Sequence, residues 1–191
     1  MNTKVDNGYI EPKLELRRNF LETFHAEPPA VMDCFMGDGV IWKRLASEFR
    51  IKSYWGVDVK TKKGRIKIES SRILEQRGWE ADVVDLDAYG SPWKHWKRLV
   101  ETFSGSALTV FLTFSNIAIA GSGNFDKEGL AMIGCVFKQN RLPRGLAGNI
   151  NGIILEFAIA YAARHGLSAV DIREAFPHGN CRYVGVRLEK R

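Results

Sequence analysis

Three short stretches hold the residues whose types and spacing can do chemistry. The first is Asp85-Leu86-Asp87-Ala88-Tyr89-Gly90-Ser91-Pro92, where an apolar run ends in carboxylates and breaks into an aromatic and a glycine turn. The second is Asp33-Cys34-Phe35-Met36-Gly37-Asp38-Gly39, in which two glycines follow an apolar run. Glycine allows positive φ and lets a backbone approach a ligand closely. The third is Asp58, twenty-five residues after Asp33 and at the end of another apolar run. A carboxylate offers two acceptor oxygens, which suits a pair of neighbouring hydroxyl donors. A dinucleotide turn of the type GxGxxG would need a third glycine at 42, and Trp42 stands there.

These residues need elements to bring them together. Residues 13–25, KLELRRNFLETFH, have the period of a helix, with Leu14, Leu16, Phe20, Leu21 and Phe24 roughly on one face. Pro28 and Pro29 stop it. Short apolar or β-branched runs predict strands over 30–35, 53–59, 65–68, 81–86, 107–114, 170–175 and 183–188. Helices are expected over 40–49, 71–77, 92–103, 127–138 and 150–164, the last closed by Gly166. The glycine-rich stretch 116–148 shows no other clear period. Alternating strands and helices predict an α/β, Rossmann-like doubly wound sheet in three layers, mostly parallel with a C-terminal antiparallel pair. Residues 1–29 read as an N-terminal extension with one helix, and 30–191 as the main domain. Ligands of such sheets lie beyond the carboxyl ends of the strands, where Asp33, Asp58 and Asp87 fall.

Composition narrows the classes. The chain has 191 residues and a formal net charge of +6. That charge and the basic runs 60–65, 94–98 and 141–144 are compatible with a phosphate-bearing partner. No apolar run approaches the roughly 18 residues that span a bilayer, and residues 1–20 lack a signal peptide's apolar stretch. Cys34, Cys135 and Cys181 are far apart with no CxxC pair, so reduced thiols, a cytoplasmic location and no metal site are expected. There is no GxxxxGK[ST] phosphate loop and no nucleophile elbow.

The order Asp33, Gly37, Gly39 and then Asp58 resembles the first two motifs of class I S-adenosylmethionine-dependent methyltransferases. The resemblance implies S-adenosyl-L-methionine as cofactor, its amino acid end on the loop containing Asp33, Phe35, Gly37 and Gly39, and its ribose on Asp58. Glu69, Ser70 and Ser71 are candidates for the adenine, with Ser70 carried forward. The short link after Asp58 departs from the usual crossover helix. Asp85 to Pro92 is similar to the Asp-Leu-Asp-Pro-Tyr/Phe-Gly-Ser-Pro segment of tRNA guanine-N2 dimethyltransferases, with Ala88 in place of the proline. That likeness makes Asp87 and Tyr89 the expected catalytic residues and a nucleobase exocyclic amine, in RNA before DNA, the expected acceptor. Asp87 would draw the amine's lone pair toward the methyl, and Tyr89 would stack on the base, a contact worth about 1–3 kcal/mol in single-stranded recognition. A DNA amino-methyltransferase, or a nucleic-acid-binding module without catalysis, remains the alternative.

Other polar residues have plainer expected roles. Asp82 should cap a strand start, while Asp85 should point into the site or pair with a basic neighbour. His95 should lie on a half-buried helix face, and His165 at a helix C-terminus. His178 sits in a loop without visible partners. Thr113, Ser115 and Asn116 end the fifth strand and are candidates to line the acceptor pocket, and 140–145 is a candidate phosphate-contacting loop.

Overall fold

The computed structural model describes residues 10–59, 66–88, 90–115, 127–134, 149–175 and 181–191. Seven strands form one sheet in the order β3-β2-β1-β4-β5-β7-β6. They are β1 (Ala30–Asp33), β2 (Ser53–Asp58), β3 (Ile66–Lys67), β4 (Val83–Leu86), β5 (Ala107–Ser115), β6 (Leu167–Ala175) and β7 (Cys181–Lys190). The first five pair in parallel, and β7 lies antiparallel to both β5 and β6. The expected three-layer α/β sheet with a C-terminal antiparallel pair is the one observed.

The helices are α1 (Ile10–Phe24), α2 (Val40–Glu48), α3 (Ser70–Leu74), α4 (Trp93–Thr102), α5 (Lys127–Met132) and α6 (Ile150–Arg164). Strand side chains alternate between faces, and this divides the core. Met32, Val84, Leu86, Val110, Leu112 and Phe114 pack with the helices α3 to α6. Val31, Val83 and Phe111 pack with α1 and α2 through Leu14, Phe20, Trp42 and Leu45. Helix α1 is thus part of the sheet's cover and also contacts β6 and β7.

Several boundaries differ from expectation for local reasons. β4 starts at Val83 rather than 81, and just before it the Asp82 carboxylate accepts the Ala30 amide at 2.7 Å, the strand-start cap expected of it. The helix expected over 127–138 ends at Met132, since Gly134 turns the chain with φ +72°. β6 begins at Leu167, directly after the Gly166 turn at φ +80°, instead of at 170. β2 and β3 pair in parallel across a link of residues 59–65, far shorter than the dozen or so residues of an ordinary crossover. Residues 60–65 of that link lie outside the described residues.

Candidate active site at the ends of β1 and β4

Strand order reverses between β1 and β4: β2 and β3 lie on one side, β5 to β7 on the other. This is the switch point where open α/β sheets bind ligands. Asp33 and Asp85 are register partners across it. Asp87 follows Asp85 by two residues, so the strand period sends both toward the α1 and α2 face. Three carboxyls therefore converge where two helices cover the sheet.

Two cations come down from α1. Arg17 is 1% exposed and grips Asp85 with both arms, Nη2 to Oδ1 at 2.7 Å and Nε to Oδ2 at 2.8 Å. Its Nη1 donates to the Lys13 carbonyl at 2.9 Å, and its guanidinium lies 4.9 Å from the centre of the Phe111 ring. Burial works against the guanidinium charge, and Asp85 more than offsets this, so the Arg17 pKa is raised further. The Trp42 indole N–H also donates to Asp85, at 2.7 Å. The bulky side chain that spoils a dinucleotide turn is therefore a hydrogen-bond donor to the site. Asp85, left between two roles by the sequence, pairs with a basic neighbour and also lines the cavity at the site.

One turn earlier on α1, Lys13 donates from Nζ to both oxygens of Asp87, each at 2.7 Å. The ammonium also lies 4.6 Å from the centre of the Tyr183 ring. Burial by itself would raise the Asp87 pKa. Lys13, then Arg17 and the Thr113 hydroxyl, outweigh burial and hold the carboxyl below its usual range. Asp33 is the opposite case. Its burial, reinforced by the charge of Asp85, pushes its pKa up to about 8, although the Tyr54 hydroxyl (2.8 Å) and the Phe35 amide (3.2 Å) donate to it. Asp33, the acid here with no hydrogen-bonded lysine or arginine, is the one whose pKa is raised.

The glycine turn forms the opposite wall. Gly37 and Gly39 have φ of +52° and +65°. A Cβ on Gly39 would press on the Met36 methyl at 3.0 Å and would be strained by the positive φ. The Gly37 amide donates to Asp58 at 3.1 Å, which ties the end of β2 to the turn. A cavity opens between this loop and α1, lined among others by Lys13, Asp33, Gly37, Gly39, Asp85 and Asp87. A buried carboxyl with no ion-paired cation, beside two glycines, fits a ligand with an ammonium group, and Asp58, tied to the turn through Gly37, has the two acceptor oxygens that fit a diol.

The remaining candidates are placed as follows. Ser70 is buried at the start of α3 with its hydroxyl 3.0 Å from His95 Nε2. Phe35 packs edge-on to His95, ring centres 4.8 Å apart. His95, expected on a half-buried face, is buried, and that burial, helped by Lys94, lowers its pKa. Thr113, on the same face of β5 as Phe111, adds the smallest of the influences that hold the Asp87 pKa down. His165 caps α6 and stacks on Tyr161. Cys34 is a buried free thiol, and burial raises its pKa. Tyr89, Asn116, Cys135, His178, the loop 140–145 and the side chains of Ser115 and Cys181 lie outside the described residues. The basic stripe of α4 is paired: Lys94 meets Glu69 at 3.3 Å, and Arg98 meets Glu101 at 3.2 Å. Among the described residues no helix is long and apolar enough to cross a membrane, and no acidic, histidine or cysteine cluster could hold a metal. Lys13, Arg17, Trp42 and Tyr54 are the site residues that sequence reasoning missed. One signal for the first two was a pair of cations one turn apart on an otherwise amphipathic helix.

No protein-family model matches the chain, and no curated protein matches its sequence. Solved structures match its fold. Trm1 from Pyrococcus horikoshii, in complex with S-adenosyl-L-methionine, gives a TM-score of 0.65 at 17% identity, over 95% of this chain and 53% of that one. A putative hemolysin from Streptococcus thermophilus gives 0.59 at 15% identity, over 95% and 67%. TYW2 from M. jannaschii, in complex with AdoMet, gives 0.55 at 14% identity, over 95% and 77%. The chain spans about half the length of the Trm1 structure. At such identities the likeness speaks to the fold, and this chain has the fold of class I S-adenosylmethionine-dependent methyltransferases.

Proposed function

We propose that the chain is an S-adenosylmethionine-dependent methyltransferase whose acceptor is an exocyclic amine of a nucleobase, in RNA before DNA. The observation that carries this reading is Asp87: a carboxyl at the end of β4, kept ionised by Lys13, on the wall of the cavity that the glycine turn closes. The preference for RNA rests on the likeness of residues 85–92 to the tRNA guanine-N2 enzymes.

When bound, the cofactor supplies a methyl group activated by its sulfonium. Asp33 suits its ammonium group, which would draw off the proton that Asp33 otherwise retains. Gly37 and Gly39 let the backbone close on it, and Asp58 suits the ribose hydroxyls. Ser70 and Phe35 meet at His95, where they would form the wall behind the adenine. Asp87 would accept an N–H of the acceptor amine, localise the nitrogen lone pair and stabilise the positive charge that develops on it. Tyr89, from the sequence alone, would stack on the base. Alignment of amine and methyl in line would supply much of the remaining acceleration.

A tritiated-methyl assay on pooled tRNA, rRNA and DNA tests this. Transfer to RNA is expected, and Asp87→Ala should reduce it about 10²–10³-fold while donor affinity, read by calorimetry, stays within a few-fold. Transfer to DNA alone would favour the DNA reading. Donor binding without transfer to any polymer would favour the binding module. Absence of donor binding would end the methyltransferase reading.

A further inference from the structure

The Lys13 ammonium stands where the proposed acceptor amine has to be. It is a primary amine, its N–H groups are directed to both oxygens of Asp87, and it lines the same cavity as the glycine turn. The Tyr183 ring covers it as an aromatic ring would cover a cationic nitrogen. It is also held there firmly. Arg17 bonds the Lys13 carbonyl at 2.9 Å from the buried side of α1, and at the surface Arg44 of α2 meets Glu11 of the first turn at 2.7 Å. Its side chain is 17% exposed, which leaves a route for a proton to leave. No other lysine of the described residues contacts Asp87 or the cavity.

We propose that Lys13 is a methylation site of this protein, modified by its own active site when the donor is bound and no nucleobase occupies the pocket. This rests on the reading of the cavity as a methyl-donor site. The Lys13 ammonium gives one proton to solvent. Its nitrogen lone pair then forms a bond to the donor's methyl carbon as the carbon–sulfur bond breaks, and the sulfur keeps the electron pair. The products are N-methyl-lysinium, S-adenosylhomocysteine and the released proton. Asp87 orients the nitrogen through an N–H that it accepts. The modified side chain keeps its positive charge and has one N–H fewer for Asp87.

The full chain is incubated with methyl-labelled S-adenosylmethionine and no nucleic acid, then digested and read by peptide mass spectrometry, with donor binding measured in parallel. Label on Lys13 is expected, at a first-order rate independent of protein concentration. It should disappear in Lys13→Arg, which keeps a cation on Asp87, and fall at least tenfold in Asp87→Asn. Independently of any donor, an amine-directed reagent should modify Lys13 several-fold more slowly than the exposed Lys52, and the lag should vanish in Asp87→Asn. Donor binding with no label on Lys13 overturns this inference and leaves the proposed function standing. So does label spread over surface lysines at a rate that rises with protein concentration. Failure to bind donor overturns both, and Lys13 reacting as fast as Lys52 removes the contact on which the inference stands.

Discussion

The two faces of the sheet are built from alternate residues of the same strands and do different work. On the α4 and α6 face, Leu86, Leu112 and Phe114 meet Trp93, Trp96, Leu99, Ile154 and Ala158. Polar atoms there are few; the Trp96 indole N–H, for instance, donates to the Ala158 carbonyl at 3.1 Å. On the α1 and α2 face, Val31, Val83 and Phe111 supply the apolar part of the core, with Phe111 level with Asp85. Toward the strand ends the face becomes Asp33, Asp85, Asp87 and Thr113, covered by Lys13 and Arg17. The difference shows how this fold separates apolar cohesion from buried charge. One face excludes water with side chains that need no partners. The other buries charge, which is stable only while each partner remains in place.

The largest effect should come from breaking that charged face. Arg17→Met leaves Asp85 buried with the Trp42 N–H but no cation, at an expected cost of about 3–5 kcal/mol in chemical denaturation. Adding Asp85→Asn should recover most of it, because an amide needs no counter-ion and still offers an oxygen to Trp42. If the double variant were no more stable than the single one, the loss would come from packing against Phe111 and not from the charge. The matching cut on the other face is Leu112→Ala, expected to cost about 2–5 kcal/mol through lost burial and a cavity. A second change at Leu112 should bring no recovery of the Arg17–Asp85 kind, since no group there is left without its partner.

The same division explains what the sequence disclosed. Alternating strands and helices, the glycine turn at 37 and 39, and the acidic ends of β1, β2 and β4 are local patterns, and they are where the structure has them. The covering cations are not local. Lys13 meets Asp87 across 74 positions and Arg17 meets Asp85 across 68. Hydrophobic periodicity reads α1 as an ordinary amphipathic helix, and it gives no sign that one arginine lies on the buried side. Trp42 was legible as bulk in the wrong place for a dinucleotide turn, but its indole N–H became meaningful only once Asp85 was placed beneath it. Tyr54, exposed at the edge of the core, is similarly linked to Asp33 only by the pairing of β1 with β2.

A smaller effect should appear with pH. The folded-state pKa of Asp33 lies above its ordinary value, at about 8, so the native protein holds a proton there that the unfolded chain has lost. Such a group contributes stability below its unfolded pKa, and the contribution is lost as pH rises through the folded one. Between pH 7 and pH 8 this amounts to about 1 kcal/mol, above the range where His25 and His95, both lowered, change charge. Asp33→Asn should remove that slope and be relatively more stable at the alkaline end. Donor binding near pH 7 should release protons, measurable by calorimetry in buffers of different ionisation enthalpy, and the release attributable to Asp33 should be missing in the variant. An unchanged slope in Asp33→Asn would mean that Asp33 is ionised already, with its charge satisfied by Arg17.

The finest test compares neighbours on β5. Leu112 and Thr113 point to opposite faces, one into the apolar core and one toward Asp87. Thr113→Val keeps the shape of the side chain and removes the hydroxyl that helps to hold the Asp87 pKa down, an effect of about 0.5–1.5 kcal/mol for an ordinary hydrogen bond. The loss should fall on the charged form of Asp87, so its pKa should rise. Because the lowered pKa contributes stability that disappears as pH falls through it, the acid limbs of both stability and methyl transfer should move upward together. Leu112→Ala should lower the whole stability curve and leave the position of those limbs alone. If Thr113→Val instead lowered stability at every pH with no movement of the acid limb, the hydroxyl would be serving the fold, and the boundary between the two faces would run one residue further toward the site.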